Sequence, residues 1–170
     1  MLILSECSFM MSTHDFTEVP VDEIQEILNH SEDGNELIGI LRRVKFDAET
    51  SVCYEDRLSY YEDLINKIMS NVTKQYSDEE KEICLAYLVC GRFLDDELVY
   101  SFCDTIIKKY AESINTMCDE AWFLYEKIRY DLLQHYARSN SWEHPVIREL
   151  VTELKKNKAR YENLSSIYGW

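Results

Sequence analysis

The sequence predicts an all-α protein, and three observations lead to that fold class. The chain of 170 residues contains only four glycines and two prolines, too few for a protein built from many hairpins. Apolar residues recur at helical spacing along most of the chain, above all from Ser77 to Arg138. Apolar residues make up 46% of the chain, enough for such helices to share a core. We therefore expect an antiparallel bundle or array of about seven helices.

The N-terminal region is predicted to contain a leader and then the first helices. Residues 1–18 show no clear period and are expected to be a flexible leader, followed by a single helical domain over residues 19–170. The run 19–23 (Val-Pro-Val-Asp-Glu) is typical of a helix start, where proline and acidic residues are favoured. A short helix is predicted over 36–44 and a longer one over about 48–74. Their apolar stripes are Leu37, Ile40, Leu41 and Val44, then Val52, Leu58, Tyr61, Leu64, Ile65, Ile68, Met69 and Val72.

The central stretch opens with a helix-capping pattern. Ser77 and Glu80 have the capping-box spacing, in which a hydroxyl and a carboxylate each accept a bond from the other residue's backbone N–H. The helix that follows is predicted to weaken near Gly91 and to restart near Asp95. A further apolar stripe runs from Cys118 to Tyr136 and predicts another long helix.

The C-terminal region is predicted to be one loop and one helix. The run 139–141 (Ser-Asn-Ser) is the clearest loop signal in the chain. Pro145 suits the first position of a helix, which we expect to run to about Leu164.

The charge balance restricts the partners. With 18 basic and 32 acidic residues the formal charge is −14, which disfavours nucleic acids and membrane surfaces and favours basic or locally basic partners. No apolar run is long enough to span a bilayer, and the apolar segment 1–11 lacks the basic start of a signal peptide. The six cysteines are isolated in sequence, as expected of reduced, buried thiols in the cytoplasm.

We find no sequence pattern that predicts catalysis, a metal or a cofactor. Of the four histidines only His135 falls within a helical pattern close to aromatic residues, and a lone histidine is more often packed than catalytic. The acidic runs 78–80 and 95–97 suit first turns of helices better than metal sites. There is no phosphate-binding glycine-rich loop. We expect a protein that is not an enzyme; a hydrolase with scattered carboxylates would require a metal or a pH-dependent activity.

Two clusters of side chains could belong either to the fold or to a binding site. Trp122, Phe123, Tyr125, Tyr130 and Tyr136 indicate a core helix, with a groove for a partner peptide as the alternative. The basic residues near the end of the chain indicate a solvated outer face; they are Arg148, Lys155, Lys156, Lys158 and Arg160.

Four stretches resemble helices of the 14-3-3 family in the same order along the chain. Residues 57–64 (Arg-Leu-Ser-Tyr-Tyr-Glu-Asp-Leu), with 68–72, resemble the second helix of that family, and 77–83 (Ser-Asp-Glu-Glu-Lys-Glu-Ile) resemble the start of the third. Residues 125–131, ending in Ala137, are similar to the fifth helix, and 160–164 to the sixth. The resemblance identifies the chain as a divergent and incomplete member, because the family's three C-terminal helices have no counterpart.

This resemblance implies a cytoplasmic signalling adaptor that binds segments of partner proteins, phosphoserine or phosphothreonine motifs among them. It also implies a homodimer formed through N-terminal helices. The family's phosphate pocket uses a lysine and an arginine on the third helix and an Arg-Tyr pair on the fifth; here Leu88 stands at or near the lysine position. The Arg-Tyr pair aligns with Gln134 and His135, and Arg92 and Arg129 are the nearest cations. The candidate phosphopeptide contacts are therefore Arg92, Arg129, Gln134 and His135, which form a degenerate pocket.

A second hypothesis places the chain among helical bundles like the Bcl-2 relatives. Such proteins bind an amphipathic partner helix in an apolar groove. The sequence Gly91-Arg92 weakly resembles a Gly-Arg pair at the groove wall of that family. Binding that depends on phosphate would favour the first hypothesis, and binding of an apolar helix without phosphate would favour the second.

Overall fold

The computed structural model describes residues 36–48, 54–90 and 97–170, and all regular structure in these ranges is helical. This confirms the all-α prediction. The elements are α1 (Glu36–Ala48), α2 (Tyr54–Asn71), α3 (Asp78–Cys90), α4 (Glu97–Tyr110), a 3₁₀ turn (Ile114–Thr116), α5 (Asp119–Ala137) and α6 (Pro145–Ile167). The predicted leader, the predicted helix start at 19–23 and Arg92 lie outside these ranges, so the total of about seven helices stays a prediction.

The chain falls into two compact units, Met1–Val72 and Thr73–Trp170. Within the first unit, α1 and α2 bury most of the apolar stripes that the sequence predicts; Leu58 and Met69 are half-buried, and Val52 lies outside the described residues. The residues that are nearly inaccessible to solvent are Leu37, Ile40, Leu41, Val44, Tyr61, Leu64, Ile65 and Ile68. Ile38 is also buried, so the apolar face of α1 is broader than the predicted stripe. The prediction of one domain over 19–170 includes residues outside the described ranges and stays a prediction.

The second unit begins with the predicted capping box at the start of α3. The Ser77 N–H donates to Glu80 Oε2 at 3.0 Å, and the Glu80 N–H donates to Ser77 Oγ at 3.2 Å. The other carboxylate oxygen of Glu80 accepts from the backbone N–H of Cys118 at 3.0 Å, immediately before α5. One side chain therefore caps α3 and joins it to the start of α5. All residues from Ile83 to Cys90 are buried.

Helix α5 lies at the centre of the second unit, where it packs against α3, α4 and α6. Trp122, Phe123 and Tyr125 are fully buried, so the core interpretation of the aromatic cluster is confirmed for these three residues. Tyr130 is 48% exposed, and Tyr136 is half-buried. The cluster thus contributes both to the core and to more open positions near the end of α5.

Helix α6 begins at Pro145, as predicted, and ends a few residues later than predicted. His144 caps it by accepting the Val146 N–H at Nδ1. At the other end Gly169 adopts a left-handed φ of 65°, which costs glycine no strain, and the Trp170 N–H then reaches the Ser165 carbonyl at 2.8 Å. The Trp170 ring consequently lies 4.2 Å from the ammonium of Lys127 on α5.

Candidate functional site

A buried ion pair on α5 is the first component of the candidate site. Glu126 and Arg129 are three residues apart, which places them on one face of the helix. Arg129 Nη1 donates to Glu126 Oε1, and Asn157 Nδ2 of α6 donates to the same oxygen at 3.1 Å. The side chains are 1% exposed for Glu126 and 6% for Arg129. The second carboxylate oxygen of Glu126 is buried and has no hydrogen-bond partner among the described residues.

The electrostatics of this pair are dominated by burial. Burial raises the pKa of Glu126 above its ordinary value, and the nearby charge of Glu153 raises it further, while Arg129 opposes both effects. Two ions removed from water lose their hydration, and one hydrogen bond between them restores only part of it. Burial therefore outweighs the favourable interaction with Arg129 and disfavours the charged form of Glu126.

A cleft of about 360 Å³ lies beside Arg129, within the second unit. Its walls come from α4, the turn after it, α5 and α6. The apolar lining residues are Ile107, Ala111, Val146 and Leu150. The charged lining residues are Asp104, Lys108, Arg129, Glu149, Glu153 and Lys156. Asn115, Tyr125 and Tyr136 complete the lining, so the cleft combines apolar contact area with polar groups of both signs.

The polar groups of the lining differ in how firmly they are held. Lys108 Nζ lies 2.7 Å from Asp104 Oδ2, and this bond raises the pKa of Lys108, with Glu149 adding to the effect. Tyr125 donates its hydroxyl to the Ile107 carbonyl at 2.6 Å, and its ring lies 4.9 Å from the Arg129 guanidinium carbon. Burial raises the pKa of Tyr125, so its phenol stays neutral.

The predicted phosphopeptide contacts are not all in this cleft. Arg129 lines it, but its guanidinium is already bonded to Glu126. Gln134 is exposed on α5, and His135 is half-buried with its ring centroid 4.9 Å from that of Tyr100; neither lines the cleft. Arg92 lies outside the described residues. The structure thus brings Arg129 together with Lys108 and Lys156, two lysines that the resemblance did not indicate.

Sequence reasoning missed Glu126 and assigned other roles to Tyr125 and Lys156. Glu126 was detectable as an acid three residues before Arg129, but that spacing is common on exposed helix faces. Lys156 belongs to the basic cluster predicted to be solvated; it is exposed, and it also lines the cleft. Arg160 of the same cluster instead lies 4.2 Å from the Trp122 ring centroid and bonds Asp119 at 2.8 Å.

The described residues offer neither a metal site nor a membrane-spanning helix. Within 36–48, 54–90 and 97–170 no group of three or more His, Cys, Asp or Glu side chains is arranged as a metal site. No helix in the same ranges combines the length and apolar character needed to cross a bilayer. Comparison of the chain with protein-family models, with curated proteins and with solved structures finds no match.

Proposed function

We propose that this protein is a non-enzymatic helical adaptor that binds a segment of a partner protein in the cleft between α4, α5 and α6. The observation that carries the proposal is the lining of that cleft, in which four apolar residues alternate with charged and hydroxyl groups from three helices. Binding sites typically combine an apolar surface with a few polar groups that orient the ligand, and their volumes start at about 300 Å³. The cleft suits one or two side chains of a peptide.

A 14-3-3-like arrangement is part of this proposal, together with a cytoplasmic signalling role and a homodimer. What supports it is the position of the four similar stretches: they fall in α2, at the start of α3, in α5 and in α6, in chain order. A phosphorylated segment in the cleft would meet two ammonium groups, that of the exposed Lys156 and that of Lys108, which is already bonded to Asp104. Arg129 would contribute less, because its guanidinium is engaged by Glu126.

An apolar partner helix is the second candidate, by analogy with the groove of Bcl-2-like bundles. The observation that favours it is the set of apolar lining residues from α4, the turn after it and α6, which are Ile107, Ala111, Val146 and Leu150. A helix would lie along these residues and would need no phosphate.

The test uses a library of fluorescent peptides, each in phosphorylated and unphosphorylated form, titrated against three proteins. The variant Ala111→Trp adds a large side chain at an exposed position of the cleft lining. The variant Ala159→Trp makes the same change on the exposed face of α6, away from the cleft, and is the matched control. We expect peptides to bind the wild type and the control equally, and Ala111→Trp at least about tenfold more weakly, a loss of about 1.4 kcal/mol.

Equal binding by Ala111→Trp and Ala159→Trp would place the binding surface elsewhere and contradict the proposal. If binding requires phosphate, the double variant Lys108→Gln/Lys156→Gln should abolish that requirement, since it removes both ammonium groups of the cleft lining.

A further inference from the structure

The charges that line the cleft are unequally compensated. Two of the three cations already have carboxylate partners, since Lys108 bonds Asp104 and Arg129 bonds Glu126. Glu149 and Glu153 have no ion-pair partner within 4.0 Å among the residues that the structure describes. The third cation, Lys156, is exposed. The charged lining residues without an ion-pair partner in the described part of the chain are thus Glu149, Glu153 and Lys156, and two of these three are acidic.

Glu149 and Glu153 are four residues apart on α6 and line the same cleft. Like charges at this spacing repel each other and destabilise a helix slightly, so a cation between them would relieve the repulsion. A third carboxylate lies close by: the charge of Glu153 reaches Glu126, whose second oxygen is buried without a partner in the described part of the chain. Glu149 and Glu153 therefore bring two unpaired carboxylates to the α6 wall of the cleft, whereas Arg129 and Lys108 in the same lining already have carboxylate partners.

We propose that the partner segment is basic and that one of its arginine side chains enters the cleft between Glu149 and Glu153. This inference rests on the proposed function, because it names the class of partner for the same cleft. A guanidinium is planar and carries five N–H donors, so it can bond two carboxylates at once, and it also stacks on aromatic rings such as that of the half-buried Tyr136 in the lining. The formal charge of −14 would attract such a segment from a distance.

The test compares three forms of one fluorescent peptide, with arginine, citrulline or phosphoserine at its centre between apolar residues. Citrulline has nearly the shape of arginine but no charge, so the comparison isolates the cation. We expect the arginine peptide to bind at least about tenfold more tightly than the citrulline peptide, as charge-assisted bonds do. The variant Glu149→Gln/Glu153→Gln should lose most of this difference.

The control is Glu143→Gln/Glu162→Gln, which removes two exposed carboxylates outside the cleft and changes the net charge equally. It should keep the preference for arginine. An equal loss in both double variants would show attraction by overall charge only, and would overturn the inference. Citrulline or phosphoserine peptides that bind as tightly as the arginine peptide, and are displaced by Ala111→Trp, would overturn it while leaving the proposed function standing. If no peptide responds to Ala111→Trp, the proposed function fails as well.

Discussion

Arg129 donates a hydrogen bond to Glu126 inside the second unit, where both side chains are almost inaccessible to water. An exposed pair at this helical spacing would contribute little to stability. Here the pair is shared by the core and the cleft, because Arg129 lines the cleft while Glu126 is bonded to Asn157 of α6. We therefore expect substitutions of Glu126 or Arg129 to change the stability of the fold, and to change binding in the cleft as a consequence.

The substitution Arg129→Met should destabilise the protein by about 3–5 kcal/mol, because it leaves a buried carboxylate without its cation. Urea denaturation at neutral pH measures the change in the free energy of unfolding. The control Lys155→Met removes an exposed charge from α6 and should change the free energy of unfolding by less than about 0.5 kcal/mol. The double variant Glu126→Gln/Arg129→Met should be more stable than Arg129→Met alone. If the destabilisation of the double variant equals the sum of the destabilisations of Glu126→Gln and Arg129→Met, the two side chains are not energetically coupled.

The substitution Glu126→Gln should change how stability depends on pH. Burial raises the folded-state pKa of Glu126 above its ordinary value of 4.5, so between these two pKa values the folded state binds more protons than the unfolded state. The contribution of Glu126 is therefore fully present below pH 4.5 and is lost as pH rises through the raised pKa. Relative to the wild type, Glu126→Gln should become progressively more stable as pH rises above 4.5 and through the raised pKa of Glu126. Parallel profiles for the two proteins would contradict this prediction.

Glu80 should show the opposite dependence on pH. Partial burial acts to raise its pKa, but bonds from the N–H groups of Cys118 and Ser77 outweigh it and hold the pKa below 4.5. The stabilisation is present above that value and is lost as pH falls through the lowered pKa. At neutral pH we expect Glu80→Ala to cost about 1–3 kcal/mol and Ser77→Ala about 1 kcal/mol.

The matched control for Glu80→Ala is Glu79→Ala, which removes an exposed acid from the same first turn of α3. It loses only the interaction with the helix dipole, about 0.3–1 kcal/mol. Chemical denaturation of the three variants decides the comparison. If Glu80→Ala lowers the free energy of unfolding no more than Glu79→Ala does, the bond from Glu80 to the Cys118 N–H contributes nothing measurable to stability.

Four cysteines should differ in their reactivity. Cys84, Cys90 and Cys103 are buried, whereas Cys118 is half-buried. Burial raises the pKa of Cys84, and it raises the pKa of Cys118 to about 12, so both stay as unreactive thiols at neutral pH. In a pulse of alkylating reagent followed by peptide mass spectrometry, we expect Cys118 to be modified first and the other three only after unfolding. Early modification of Cys84 would contradict the described core.

Local signals were the part of the fold that the sequence predicted best. The capping box of Ser77 and Glu80 depends on residues three apart, and Pro145 marks a helix start by its own ring geometry. Both can be recognised without knowledge of the rest of the chain. The stripe of α1 was predicted for the same reason, since helical spacing alone places its members on one face.

The candidate site could not be predicted in this way, because its walls come from helices far apart in sequence. Whether the pair of Glu126 and Arg129 is buried depends on how α6 packs, and whether Lys156 meets a cleft depends on the position of α4. In one case the residue type alone also gives a wrong expectation of solvent exposure. Arg160 belongs to a basic run that indicates a solvated face, but its guanidinium covers the indole of Trp122.

The two bonds of Glu80 connect events that belong to different stages of folding. Its partner Ser77 is three residues away, and its partner Cys118 is 38 residues away. The near bond can form as soon as the first turn of α3 exists, but the distant one requires α5 to have docked and a long loop to have closed. The two oxygens of one carboxylate thus report separately on early and late steps. We expect Ser77→Ala mainly to slow refolding, and loss of the contact with Cys118 mainly to speed unfolding.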